Sequence, residues 1–374
     1  MAPTLPPPVL DHVLSQDGLR SSDLARCCRV ARSFLDPARR TLYHHLYVLL
    51  SEPSEGSAVA VLEPTSRYLE AVVANQHLAD LVRKVSLVEV PIVPPEGAPL
   101  STATMVLARV LSCCRTARWF DLQRVQSNAD FAPVLLAARL PLTHLFINTQ
   151  TSWSTLISAL PELRHFGLGL SSQQDQMAQA PLAVRPRLRS FLLQHAAPEP
   201  PLAQLVACVD LFCTPGDSNL TRLHLPCDVF LLPNFDLVNF PSLTSLVIYM
   251  KLGRVDDEVF PAISTALSKV PQLETLAIAG HSPETTAYKT FRHFSLAASA
   301  PPSLRRLVLG DGFSQAEVVH LLGALAPLGL RNLEWVRRDG ASLDIKVRGL
   351  TLVARQLGVS FKRVKQHESE IDIT

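Results

Sequence analysis

The chain has 374 residues, 47% of them apolar, and its 35 Lys plus Arg face 33 Asp plus Glu for a formal net charge of +2. That near balance excludes the broad positive field by which a protein grips a polyphosphate, and no basic stripe interleaved with aromatics is present, so nucleic acid is not an expected partner. No apolar run reaches the roughly eighteen residues of a membrane span, since Arg or Pro breaks the richest stretches, and no membrane partner is expected either.

The first residues, MAPTLPPPVLDHVL, lack a basic region ahead of their apolar side chains and carry Asp11 among them. This argues against a secretory leader and for an intracellular chain, in cytoplasm or nucleus. Seven cysteines is an odd number, and Cys27–Cys28 and Cys113–Cys114 are adjacent pairs, a pattern that suits reduced, buried thiols better than a disulfide framework.

In chain order, residues 5–48 read as helical. Pro8 can open a first helix whose Val9, Leu10, Val13 and Leu14 form one apolar stripe. A loop around Gly18 follows, then a second helix capped by Ser22 and carrying Leu24, Cys27, Cys28 and Ala31. Asp36 and Pro37 mark the expected start of a third helix through Ala38 and Leu42. Three short helices bury little surface, so the segment needs a partner or the rest of the chain.

Position by position this segment resembles an F-box: Leu5 and Pro6 at its start, Val9 and Leu10 with Val13 and Leu14 on the first helix, Asp23 and Leu24 opening the second, Cys27 with Val30 and Phe34, and Leu42 with Tyr43. Pro8 stands where an acidic residue is common and Phe34 where Trp is common. The resemblance implies that Leu5, Pro6, Val9, Leu10, Val13, Leu14, Leu24, Val30 and Phe34 contact a Skp-type adaptor of a cullin ubiquitin ligase.

Further along, the string Pro-x-Leu-x-x-apolar-x-apolar recurs five times, at Pro161, Pro186, Pro241, Pro271 and Pro302, where chance gives roughly one match. Adding the weaker apolar-x-x-apolar-x-apolar matches puts ten unit starts at 82, 117, 142, 163, 188, 220, 243, 273, 304 and 330. Stretches of helical spacing lie between several of them, notably Thr102 to Cys113 and Phe260 to Val270, so each unit reads as strand, then helix or loop.

This pattern resembles the leucine-rich repeat over roughly residues 80–340, although the usual Asn or Cys after the strand is mostly absent, with Asn148 in a nearby place, and the period is irregular. The implied fold is α/β: a helical domain over 1–50, a connecting helical segment over 51–81, an irregular solenoid over 82–345 with parallel strands on its concave face and helices outside, and a cap and tail over 346–374. Strand alternation sends the apolar positions four and six of each unit into the core and displays positions three, five and seven. Trp119, Asp121, His144, Phe146, His165, Arg222, His224, Tyr249 and Arg306 are therefore expected to bind a target protein, with Lys84, Gln123, Asn148 and Glu334 on the same face.

Phosphate loops of the GxGxxG and GxxxxGK[ST] types are absent from the sequence, as are HExxH and GxSxG strings, so no cofactor and no catalytic residue is expected. Cys208, Cys213, His224 and Cys227 approach a zinc spacing without its two-residue knuckle, and His144 with His165 could pair; contact residues and buried thiols are the expected roles, with no metal. The expected function is a non-catalytic substrate receptor of a ubiquitin ligase, the alternative being a leucine-rich-repeat scaffold unconnected with ubiquitin.

Overall fold

The computed structural model describes residues 13–14, 21–30, 32–53, 58–63, 65–94, 99–125, 130–148, 153–170, 187–195, 219–250, 258–280, 296–310, 313, 315–337 and 344–365. The chain divides into two compact units, Met1–Gly169 with Asp175–Pro186 and Leu170–Gln174 with Arg187–Thr374.

In the first unit Val13 and Leu14 are helical, followed by α1 (Ser21–Val30) and α2 (Arg32–His44). The chain then continues through β1 (His45–Leu50), β2 (Ala58–Ala60), α3 (Thr65–Ala74), α4 (Gln76–Ala79), β3 (Lys84–Glu89), β4 (Leu100–Thr102) and α5 (Ala103–Cys113). It ends with β5 (Trp119–Asp121), α6 (Ala132–Ala138), β6 (His144–Asn148), α7 (Trp153–Ala159) and β7 (His165–Leu170). Strands β1, β3, β5, β6 and β7 pair in that order, all parallel, and β2 and β4 form a separate antiparallel pair.

Local sequence explains several of these boundaries. Thr102 Oγ1 accepts from the Met105 amide at 3.2 Å and caps α5, whose Val106, Leu107, Val110 and Leu111 repeat at i, i+1, i+4 and i+5 and are all buried. Helix α2 departs from expectation: it begins at Arg32 and runs through Pro37 rather than starting there. The sheet also begins earlier than expected, because β1 directly follows α2 and pairs with β3 along its whole length.

The second unit contains β8 (Ser190–His195), β9 (Arg222–Pro226), 3-10 turns at Cys227–Leu231 and Leu237–Asn239, β10 (Ser245–Met250), α8 (Val259–Ser268) and β11 (Thr275–Gly280). It continues with α9 (Leu296–Ser299), β12 (Arg306–Leu309), α10 (Gln315–Leu325), β13 (Asn332–Arg337), α11 (Asp344–Gln356) and β14 (Ser360–Lys365). These seven strands pair consecutively and in parallel.

Each of the ten strands expected from the apolar pattern is present and starts two residues after its first apolar position. A shared backbone device sets the register. The amides of positions two and three both donate to the position-two carbonyl of the preceding strand: Arg118 and Trp119 to Arg83, Thr143 and His144 to Arg118, Thr244 and Ser245 to Thr221, Arg305 and Arg306 to Glu274. Positions four and six are fully buried in both units, with Phe120, Leu145 and Phe166 in the first and Leu246, Leu276 and Leu307 in the second. No helix among the described residues is long and apolar enough to cross a membrane.

Candidate functional site

The registered strands of the first unit carry one row of side chains at position three: His45, Lys84, Trp119, His144 and His165. These side chains touch one another. The His45 ring meets Trp119 edge to face at 5.8 Å, Lys84 Nζ lies 5.4 Å from the centre of the Trp119 ring, and the His144 and His165 rings stack at 4.0 Å and 6°. From position five, Phe146 leans onto Trp119 at 5.5 Å. Gly167 is opposite Phe146 in register, and a β-carbon there would overlap the Phe146 ring, so the absence of a side chain is what lets this ring lie down on the sheet.

Two of the row's imidazoles, those of His144 and His45, are held well below the ordinary histidine range. Burial, with His165 and Lys84 beside it, holds His144 well below the ordinary histidine value, at about 4, while its Nδ1 is 2.9 Å from Thr143 Oγ1. His45 is lowered to about 4 by burial and by Lys84 and His44, and its Nε2 is 2.8 Å from Ser86 Oγ. His45 and His144 therefore do not titrate near neutral pH. Positive charge comes instead from Lys84 and from the rim of the sheet, where position two holds Arg83, Arg118 and Arg164. Arg83 Nη1 donates to the Asp80 carbonyl at 2.6 Å and Arg164 Nη1 to the Pro161 carbonyl at 3.1 Å, both neutral acceptors, and Arg118 is exposed.

The corresponding face of the second unit is built differently. Val247, Ala277, Val308 and Val336 form a buried apolar cluster with Tyr249 packed against it. Burial raises the Tyr249 hydroxyl pKa, and this hydroxyl accepts from Gln194 Nε2 at 3.3 Å. His224, expected on a displayed surface, is only 2% exposed, and burial with Arg222 nearby lowers it to about 3. Among the described residues its Nδ1 has no hydrogen-bond partner. Apolar neighbours in register, Leu192 and Val247, make position five core here. Arg306 is exposed but committed to both carboxylate oxygens of Glu334 at 3.0 Å, and Arg222 is half-buried between Ser190 and Ser245.

Of the residues expected to bind a target, Trp119, Asp121, His144, Phe146 and His165 therefore come together, whereas Arg222, His224, Tyr249 and Arg306 lie in the other unit. Sequence reasoning missed His45, Gly167 and the rim arginines. The signal for the rim was present, since Arg recurs immediately after the first apolar residue of the units starting at 82, 117 and 163.

The amino-terminal helices also require a correction. Leu14 and Leu24, expected to face an adaptor, are buried with Ala38 in a cluster against which Cys27, Cys28, Phe34 and Leu42 pack. Val13 is 46% exposed. Leu5, Pro6, Val9, Leu10 and the side chain of Val30 lie outside the described residues, as do Cys208 and Cys213 of the loose zinc spacing. Cys113 and Cys114 are buried with their sulfurs 3.7 Å apart.

No family model matches this sequence, and no curated protein matches it.

Proposed function

We propose that this chain is a non-catalytic substrate receptor of a ubiquitin ligase: its amino-terminal helices, which resemble an F-box, dock on a Skp-type adaptor, and its strand–helix units, which resemble leucine-rich repeats, hold a target protein. The observation that carries the reading is the aromatic and histidine row lying on the sheet of the first unit, held by a backbone that fixes each side chain to its neighbour. A preformed surface of this kind loses little conformational entropy on binding. The receptor makes and breaks no bond; it raises the local concentration of a target lysine near a ubiquitin-loaded enzyme.

One observation favours the scaffold reading, in which the helices only cap the sheet. Tyr43, at the end of α2, stacks on Tyr68 of α3 at 4.8 Å, and the Tyr68 hydroxyl donates to the Leu42 carbonyl, so α2 is fastened to the first unit. Co-purification with a Skp-type adaptor separates the two readings. The receptor reading expects the folded parent to bring the adaptor with it and Val13→Asp, which places a charge at an exposed apolar contact, to lose it without a change in melting temperature. A folded parent that never retains adaptor favours the scaffold.

A further inference from the structure

We infer that Cys113 and Cys114 are a modification site, at which a hydroperoxide closes the two thiols into a reversible disulfide between neighbouring residues. The inference is independent of the proposed adaptor and target.

Adjacency in sequence does not by itself bring two thiols together. Successive side chains of a helix point about 100° apart, and Cys27 with Cys28 lies wholly inside α1. Cys113 is instead the last residue of α5, and Cys114 leaves the helix at φ −85° and ψ 59°. At that exit the two sulfurs meet at 3.7 Å. The α5 backbone holds Cys113 over the contact, its thiol donating to the Val110 carbonyl at 3.2 Å. Cys114 is fully buried and Cys113 is 8% exposed, so Cys113 is the one of the two that solvent reaches.

Electrostatics divide the roles. A hydrogen bond from Cys114 holds Cys113 down to about 7 against the opposing effect of burial, and backbone amides and Arg109 add to it. The same contact and burial push Cys114 up, so it remains a thiol. The Cys113 thiolate attacks one peroxide oxygen and the O–O bond breaks. The other oxygen leaves as hydroxide or alkoxide and takes up a proton, and Cys113 becomes a sulfenic acid. The negative charge that raised Cys114 is then gone. The Cys114 sulfur displaces the hydroxyl, the S–S bond forms, and the thiol proton departs with the hydroxyl as water. In sum, two thiols are oxidised and one hydroperoxide is reduced to water or an alcohol plus one further water. Neighbouring Cα atoms are about 3.8 Å apart, closer than an unstrained disulfide spans, so the ring is easily reopened by a thiol.

The test treats the folded full-length chain with hydrogen peroxide, blocks the remaining thiols with iodoacetamide and maps the tryptic peptides. Cleavage after Arg109 and Arg115 puts both cysteines in one peptide, Val110 to Arg115. This peptide should lose both alkyl labels and two hydrogens, close at least about tenfold faster than in the urea-unfolded chain, and regain both labels after reduced glutathione. The Cys27 and Cys28 peptide should keep its labels, although both residues are more exposed. Labels retained on Val110 to Arg115, closure as fast in urea, or equal loss at Cys27 and Cys28 would each overturn the site. Oxygen added to Cys113 with Cys114 still labelled would overturn the disulfide, and a ring that glutathione leaves closed would overturn its reversibility.

Discussion

The same face of the sheet is built differently in the two units. In both, alternation turns positions three, five and seven away from the buried positions four and six. In the first unit those positions include Lys84, Trp119, Asp121, His144 and Phe146, all partly exposed, beside the buried Ser86, Val88, Asn148 and Gly167. In the second, position five reads Leu192, His224, Val247, Ala277 and Val308, all buried, and then Glu334, which is partly exposed. Periodicity thus assigns a residue to a face, and the composition of that face decides whether it becomes surface or core. A β-branched and Ala-rich face loses little by leaving water, whereas a face of Lys, Asp and His is costly to desolvate.

The largest effect should come from charging the buried face. Val247→Asp places an unpaired carboxylate among Ala277, Val308 and Val336 and should cost about 4 kcal/mol or more, while Phe146→Asp, at the same position of a first-unit strand, should cost about 1 to 2 kcal/mol. Denaturant titration of the two variants measures the gap, and equal losses would erase the distinction between the faces.

Next come the shared core positions. Leu246→Ala and Leu276→Ala should each lose about 2 to 5 kcal/mol through cavity formation, with Ser245→Ala, one residue away on the other face, within about 0.5 kcal/mol of the parent. A similar loss at Ser245 would mean that the strand register is wrong. Gly167→Ala should cost about 1 to 3 kcal/mol, because the new β-carbon displaces the Phe146 ring, and double substitution with Phe146→Ala should recover most of that loss.

His224 gives the smallest and most diagnostic change. Its folded pKa of about 3 lies below the ordinary 6.5 of histidine, so between these values the unfolded chain binds a proton that the folded chain does not. Its contribution to stability is therefore complete above pH 6.5 and is lost as pH falls towards 3. His224→Leu matches its neighbour Leu192 and removes a buried nitrogen without a partner, so it should raise stability by about 1 kcal/mol at pH 7 and flatten the curve between pH 6.5 and 3. An unchanged pH profile would place the acid sensitivity elsewhere.

Much of the architecture was legible because a short strand with buried alternate positions leaves a tight apolar signature. All ten starts led to strands, and the helix expected over Thr102 to Cys113 is α5 with Thr102 as its cap. Strand β1 has the same signature, Tyr43, Leu46 and Val48, but the helical reading of residues 5–48 absorbed it. Strand β14 was missed for a different reason: Gly358 occupies its first apolar place. The ring row was half legible. Alternation selected Trp119, His144, Phe146 and His165 correctly as neighbours, yet it gave His224 the same standing, since burial by residues distant in sequence leaves no local trace. Leu14 and Leu24 failed likewise: an amphipathic stripe is the same whether it packs on its own helices or on a partner.

The central claim, that the first unit's sheet face is the open, partner-binding one, has a built-in reporter. The chain has three tryptophans, of which Trp153 and Trp335 are buried while Trp119 is partly exposed in the ring row. Acrylamide quenching of tryptophan emission should therefore act mainly on Trp119: the quenchable component should disappear in Trp119→Phe and become protected in the parent when a target protein covers the face. A quenchable component that persists in folded Trp119→Phe, or one that a bound target leaves fully accessible, would contradict the account.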